Sequence, residues 1–369
     1  LADSWPRGGP RKIWSRRLGP GYSGIVGDET RLYTIYRAEG REVVVCLDPR
    51  TGETLWEHAY DAPLAERHDP DYGDGPNSTP LLTDGRVYTL GVAGLMHALD
   101  AETGRVLWSK DLWGDLKGTF LELGYSSSPI AFKETVIVLV GGEDRGAVAF
   151  DKADGHIVWQ GLDFANSYST PTIMSVLGED QLVVAMATEV VGADPDTGEL
   201  KWQYPIRNQY PQNICLPIRV DDDLVFYSTM EAGSRGLRVV SRDSSPVEER
   251  WSSRKFQCFY GAAVRIGDYV YGPSGWSAAP LLAAIDARTG ELAWRERGFA
   301  TANVIGAGDR LLILDEDGKL ALATATPDRL TVHSERRILT FPARTPPTLM
   351  GTVLFARDQK SILALDLAP

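Results

Sequence analysis

ALDAETGRVLW (Ala98–Trp108) decides the fold, because the chain repeats it. Four other stretches align with it without a gap: CLDPRTGETLW (Cys46–Trp56), AFDKADGHIVW (Ala149–Trp159), GADPDTGELKW (Gly192–Trp202) and AIDARTGELAW (Ala284–Trp294). The shared frame is a small residue, then x-Asp-x-x-Thr-Gly, then three residues and Trp. β-Formers such as Val43, Val44 and Val45 precede the Asp. The Asp-to-Gly stretch is turn chemistry, with Gly free to take positive φ, and an alternating strand then runs to the Trp. Each copy reads as a β-hairpin.

Working outward, a second strand pair joined by a polar turn lies upstream of each hairpin, as in STPLLTDGRVYTL (Ser78–Leu90) and SPIAFKETVIVL (Ser128–Leu139). Four short strands per repeat make a propeller blade. Two copies are worn. Residues 239–251 keep the strand and Trp251 but carry Ser244, Ser245 and Pro246 in place of Thr-Gly; residues 320–336 offer Val332 and His333 where Trp is expected. Half-copies stand at the two ends, SILALD (Ser361–Asp366) and RKIW (Arg11–Trp14). Joined in space they complete one blade. The expected fold is therefore all-β, an eight-bladed β-propeller of four-stranded antiparallel blades closed by an N-terminal strand joining the C-terminal blade, with seven blades as the alternative. One domain, 1–369, is divided into blades at 22–60, 78–112, 126–163, 168–206, 212–256, 260–299 and 301–338, with 344–369 completed by 11–18.

The 43% hydrophobic and 24% charged composition is that of a folded chain. With a net charge of −12 and no basic run, the electrostatic footprint of a nucleic-acid binder is missing. No apolar run approaches the roughly 20 residues of a membrane-spanning helix. The three cysteines, Cys46, Cys215 and Cys258, form no CxxC pair and read as core residues. The chain begins Leu1-Ala2-Asp3 without Met, the form of a chain whose targeting segment has been removed, so the expected location is periplasmic or secreted.

The repeats resemble the tryptophan-docking motifs of the quinoprotein alcohol dehydrogenase-like propellers with PQQ-like repeats, over Arg11 to Asp366. That superfamily includes the pyrroloquinoline quinone dehydrogenases and the BamB-type outer-membrane assembly lipoproteins, and the chain is nearest in type to the latter. The resemblance implies that each Trp packs between neighbouring blades near the motif Gly. The role falls to Trp56, Trp108, Trp159, Trp202 and Trp294, with Trp14 and Trp251 as looser matches. It also implies, for the dehydrogenases, a quinone held above a Trp floor beneath a vicinal disulfide, and calcium bound by acidic and amide side chains. This chain has no adjacent cysteine pair and no Cys-x-x-Cys-His haem signature, so neither PQQ nor calcium is assigned to it.

In a propeller a ligand sits at the funnel mouth, where the chain enters each innermost strand. Those segments place Tyr22, Asn77, Tyr125, Tyr168, Asn213, Tyr260 and Asn303 as a candidate ring of hydroxyl and amide groups, or as side chains that hold a wet channel together. Asp69, Asp71 and Asp74 are candidate calcium ligands in a long connection that otherwise reads as an acidic loop without EF-hand spacing. Trp276, outside the repeat register, is a candidate partner anchor. His58, His97, His156 and His333 fall on separate blades, which gives no shared catalytic centre, and no Gly-x-Ser-x-Gly elbow is present. Two functions stand. One is a non-catalytic extracytoplasmic scaffold that binds a protein partner through inter-blade loops. The other is an enzyme or small-molecule binder using the funnel for a sugar or alcohol, quinone- or calcium-dependent if catalytic.

Overall fold

The structure is a computed structural model. It describes residues 1–69, 73–210, 212–241, 247–258, 262–275, 281–299 and 301–369. These form 32 strands in eight four-stranded antiparallel sheets, with no helix among the described residues. Strands of blade 1 lie within residues 26–61, of blade 2 within 81–111, blade 3 within 130–161 and blade 4 within 172–205. Blades 5, 6 and 7 follow within 218–253, 264–296 and 303–337. Blade 8 takes Thr348–Met350, Val353–Arg357 and Ser361–Asp366 from the C-terminal end and Arg11–Arg17 from the N-terminal end.

The two middle strands of each blade are buried on both faces, as in Arg41–Leu47, where Val44 to Leu47 are wholly inaccessible. Outer strands alternate, and in Thr54–Asp61 every second residue is exposed. The core therefore lies between blades. One cluster joins Tyr88, Leu90, Met96 and Trp108 of blade 2 to Val136, Val138, Val148 and Phe150 of blade 3. Each fully buried side chain of this size contributes about 1.5–3 kcal/mol.

The repeat frame now has a mechanical meaning. The small residue before the motif Asp faces the Trp across the ladder: Cys46 opposite Trp56, Ala98 opposite Trp108, Gly192 opposite Trp202 and Ala364 opposite Trp14. A larger side chain there would meet the indole; a Cβ at Gly192 falls 2.2 Å from the Trp202 ring. The Asp carboxylate accepts the N–H groups of the second and third residues after it, as Asp100 does from Glu102 and Thr103, and closes the turn. Each indole reaches the next blade. Trp14, Trp56, Trp108, Trp159 and Trp251 donate to the backbone oxygens of Pro49, Ala101, Lys152, Pro195 and Ala287, each the residue after a motif Asp, at 2.8–3.2 Å. Two differ because the next blade is worn. Trp202 donates to Gln181 Oε1 in its own blade, at 2.7 Å, and Trp294 to the Thr326 oxygen, at 2.9 Å.

Ring closure follows from pairing Arg11–Arg17 with Ser361–Asp366. Arg357 adds a clamp. Wholly buried, it donates to the Ile35 and Gly19 oxygens at 2.7 and 2.9 Å and to Thr34 Oγ1 at 3.0 Å, tying blade 8 to blade 1. At the preceding seam the register puts Ser334, opposite Leu322 and just before the bulge, where other blades carry Trp, while Val332, expected there from sequence, faces Ala323 and is exposed. Trp5 and Ala2 pack there against Leu320, Leu322, Leu363 and Leu365.

Candidate funnel-face site

Each outer strand leads into a connection that crosses to the axis and enters the next blade. Alternate residues of these segments line the axis in two tiers. The first carries Tyr22, Asn77, Ser126, Tyr168, Ile214, Thr301 and Arg344; the second, two residues on, carries Thr79, Ser128, Thr170, Leu216, Ala262, Asn303 and Pro346. With Gly73 and Leu123 they enclose a cavity of about 450 Å³. Its wall is two-sided. Blades 2 to 4 present hydroxyls from Thr79, Ser126, Ser128 and Thr170, whereas blades 5, 6 and 8 present Ile214, Leu216, Ala262 and Pro346.

The residue between the tiers turns into the blades, and Ser23, Ser78, Ser127, Ser169, Ala302 and Thr345 are almost completely buried. The same alternation sorts the residues expected from sequence. Tyr22, Asn77, Tyr168 and Asn303 line the cavity. Tyr125 and Asn213 lie one residue before the first tier and face away, Tyr125 donating to the Val140 oxygen and Asn213 to those of Met186 and Ala187. A one-residue offset in an alternating segment reverses the facing. Tyr260, Trp276 and Asp71 lie outside the described residues.

The polar groups of the ring largely hold its own loops. Asn77 Nδ2 donates to the Leu123 oxygen at 3.1 Å, and the Leu123 N–H donates to the Tyr168 hydroxyl at 3.2 Å. Asn303 accepts from the Ala262 N–H and donates to the Arg344 oxygen, both at 3.0 Å. Burial pushes the Tyr168 hydroxyl up to about 12. It raises Tyr22 as well, against the opposing pull of Arg344, so both stay protonated at neutral pH.

Arg344 is the cation of the described wall, and the sequence reading missed it. Its Nε donates to Glu316 Oε2 at 3.0 Å, and Thr301 Oγ1 donates to the other carboxylate oxygen at 3.1 Å. The guanidinium also hydrogen-bonds Tyr22. A signal was available: Ala343-Arg344-Thr345 aligns with Gly21-Tyr22-Ser23.

Two further groups bear on chemistry. Asp69 and Asp74 do not come within shared-ligand range of a third acidic or imidazole group among the described residues; Asp74 instead faces His68 at 3.7 Å. The trio that does converge, Asp151, Asp154 and His156, is a motif turn, with Asp151 accepting the Ala153 N–H and Asp154 accepting from His156. His58 and His97, expected apart because they belong to separate blades, meet face to edge at 5.2 Å between ring centres, since neighbouring blades stack face to face. His97 is 8% exposed, its Nδ1 has no partner, and burial pulls it down to about 4.

These features define the class: a closed eight-bladed propeller whose blades are joined by indoles docked on the turns of their neighbours, with a funnel walled by entry segments. The sequence profile of the PQQ-like repeat family described as outer membrane protein assembly factor BamB matches residues 10–88 and 40–296, and the chain belongs to that family. It is 24% identical to the outer membrane protein assembly factor BamB of Salmonella typhimurium, over 88% of this chain and 82% of that protein. To the quinohemoprotein alcohol dehydrogenase of Comamonas testosteroni it is 30% identical, over 37% of this chain but 19% of the dehydrogenase. The crystal structure of BamB from Moraxella catarrhalis matches with a TM-score of 0.66 at 16% identity, over 96% of this chain and 99% of that one, a likeness of fold.

The dehydrogenase resemblance brings calcium and a quinone, which need converging carboxylate and amide oxygens and several cations or donors for the quinone's carboxylates. Among the described lining residues there is one cation, Arg344, already paired with Glu316, and neither a carboxylate nor an indole. That donor set does not fit a calcium–quinone pair.

Proposed function

We propose that this protein is a binding scaffold outside the cytoplasm, holding a protein partner on its funnel-face loops. The near full-length likeness to an outer membrane protein assembly factor carries the reading, because the dehydrogenase likeness spans only a fifth of that enzyme. A periplasmic location and a partner in outer-membrane protein assembly come with it. Large apolar side chains exposed on this face support it: Tyr210 and Leu216 on the connection into blade 5 are 48% and 47% exposed, and Phe341 on the connection into blade 8 is 57% exposed. Aromatic and aliphatic anchors of this kind dominate binding energy where they fill a partner's pockets.

A photoreactive side chain placed at Leu216 or Phe341 is expected to give a discrete adduct in cells. The same group at Leu55 or Ile157, exposed on outer strands, is expected to give none. Equal labelling at all four positions overturns the reading.

The second reading, a small-molecule binder, is favoured by the two-sided wall of the cavity. Hydroxyls on one side and apolar side chains on the other suit an amphipathic ligand such as an alcohol or a sugar with one apolar face. Turnover of alcohols with an artificial electron acceptor after loading with quinone and calcium would establish it as catalytic, against the donor set described above.

A further inference from the structure

Two cysteines that sequence spacing left unconnected meet in the wall between blades 5 and 6. Cys215 stands between the cavity-lining Ile214 and Leu216, where blades 1 to 4 carry Ser23, Ser78, Ser127 and Ser169. Its carbonyl accepts from Ser169 Oγ of blade 4 at 3.1 Å. Cys258 lies in the segment that enters blade 6 and is laid against blade 5. Its N–H donates to Ser228 Oγ, and the Phe256 oxygen accepts from Ser234 Oγ, both at 2.9 Å. Both cysteines pack in one cluster with Val220, Phe226 and Phe256, and their thiols are hydrogen-bonded to each other. Neither sits in a strand, so no ladder fixes their backbone. From hydrogen-bonding range the sulfurs must close by up to about 2 Å to reach bonding distance.

We propose that Cys215 and Cys258 form a redox-modification site, a dithiol that a disulfide-bearing oxidant converts into a covalent staple between blades 5 and 6 beside the cavity. A thiolate of the pair attacks one sulfur of the oxidant, breaks its S–S bond and expels one thiolate, leaving a mixed disulfide. The second cysteine, as thiolate, attacks the protein sulfur of that mixed disulfide and expels the other half. Two protein thiols lose two protons and two electrons, and the oxidant is reduced to two thiols. The neighbouring thiol and burial together hold Cys215 well above the usual thiol range, so exchange in the folded chain is slow at neutral pH and quickens as pH rises. The staple fixes Ile214 and Leu216 in the cavity wall. It does not depend on the scaffold reading, since it concerns the chain's own chemistry in either case.

The test uses the full chain, reduced and then equilibrated with oxidised glutathione. The expected product has lost two hydrogens by intact mass, and thiols titrated in denaturant fall from three to one. Its proteolytic map joins Cys215 to Cys258, with Cys46, buried opposite Trp56 in blade 1, left as the remaining thiol. The thermal midpoint rises by about 5 °C, because the cross-link closes a loop of roughly 40 residues in the unfolded chain. Cys258→Ser is expected to abolish both the mass loss and the thermal shift. Three persistent thiols, a cross-link that includes Cys46, or a glutathione adduct that never resolves would each overturn the proposal. Peptide mapping of the unsubstituted chain decides the matter even if the variant does not fold.

Discussion

At the scale of single residues, the seams are tightest where an indole lies on a glycine. Gly104 has φ +72°, and a Cβ there falls 2.5 Å from the Trp56 ring, which is itself tied to the Ala101 oxygen. Gly85 has nearly the same φ, +69°, with no atom within 4 Å of the added carbon. Gly85→Ala therefore carries only the left-handed backbone penalty, about 1 kcal/mol, while Gly104→Ala adds overpacking for a total of about 3 kcal/mol or more. Urea unfolding of the two variants side by side checks the difference. His97 gives a pH-dependent counterpart. Its folded value near 4 lies below the unfolded value of about 6.5, so the stability it contributes is present above pH 6.5 and lost as pH falls through 4. That loss is about 3 kcal/mol. His58 and Tyr60 face it, and Tyr60 hydrogen-bonds the buried Glu42, whose carboxyl is raised by burial and acts in the opposite sense. His97→Phe is expected to flatten the acid limb between pH 6.5 and 4 and leave neutral stability unchanged or higher. An unaltered limb would show that the imidazole is already hydrated.

Among the elements, the worn blades show where local pattern stops being sufficient. The intact hairpins were legible because turn and cross-strand partner lie within eleven residues, and chemistry at that range is written in one short frame. Trp5 was not legible. Its contacts, Leu320, Leu322, Leu363 and Leu365, lie more than 300 residues away, and only the lack of a Trp on that outer strand, where Ser334 takes its place, marked a seam in need of a filler. The lining ring was half legible for a different reason. Entry segments could be placed from the repeat, but the facing of each side chain depends on a one-residue register, which put Tyr125 and Asn213 on the wrong side and left Arg344 unnoticed. Trp5 packs at the blade 7–8 seam, and its backbone N–H donates to Ser334 Oγ at 2.8 Å. Trp5→Ala is expected to destabilise the protein by about 3–5 kcal/mol. Amide exchange should rise first in Leu330–Arg337 and Ser361–Asp366, the strands either side of that seam. Uniform acceleration in all blades would mean that the ring unfolds as one unit.

For the molecule as a whole, closure is what separates a ring from an open stack of sheets. Ser361–Asp366 is paired on one side with Val353–Arg357 and on the other with Arg11–Arg17, so neither edge of that strand is free while the first strand is in place. A chain beginning at Leu18 keeps seven complete blades and three strands of the eighth, but exposes one edge of SILALD, whose Ile362, Ala364 and Leu365 are nearly or fully buried in the closed ring. An apolar unpaired edge recruits another strand, here from a second copy. Such a chain is expected to sediment as concentration-dependent oligomers, with Arg357 still clamping blade 8 to Gly19 and Ile35. A synthetic peptide of residues 9–18 should return it to a monomer by supplying the ladder and the Trp14 indole for the turn at Gly52. The same peptide with Trp14→Ala keeps the ladder and loses the dock, so its failure to restore the monomer would show that a seam needs the indole as well as the backbone hydrogen bonds. Full restoration by both peptides would assign closure to strand pairing alone.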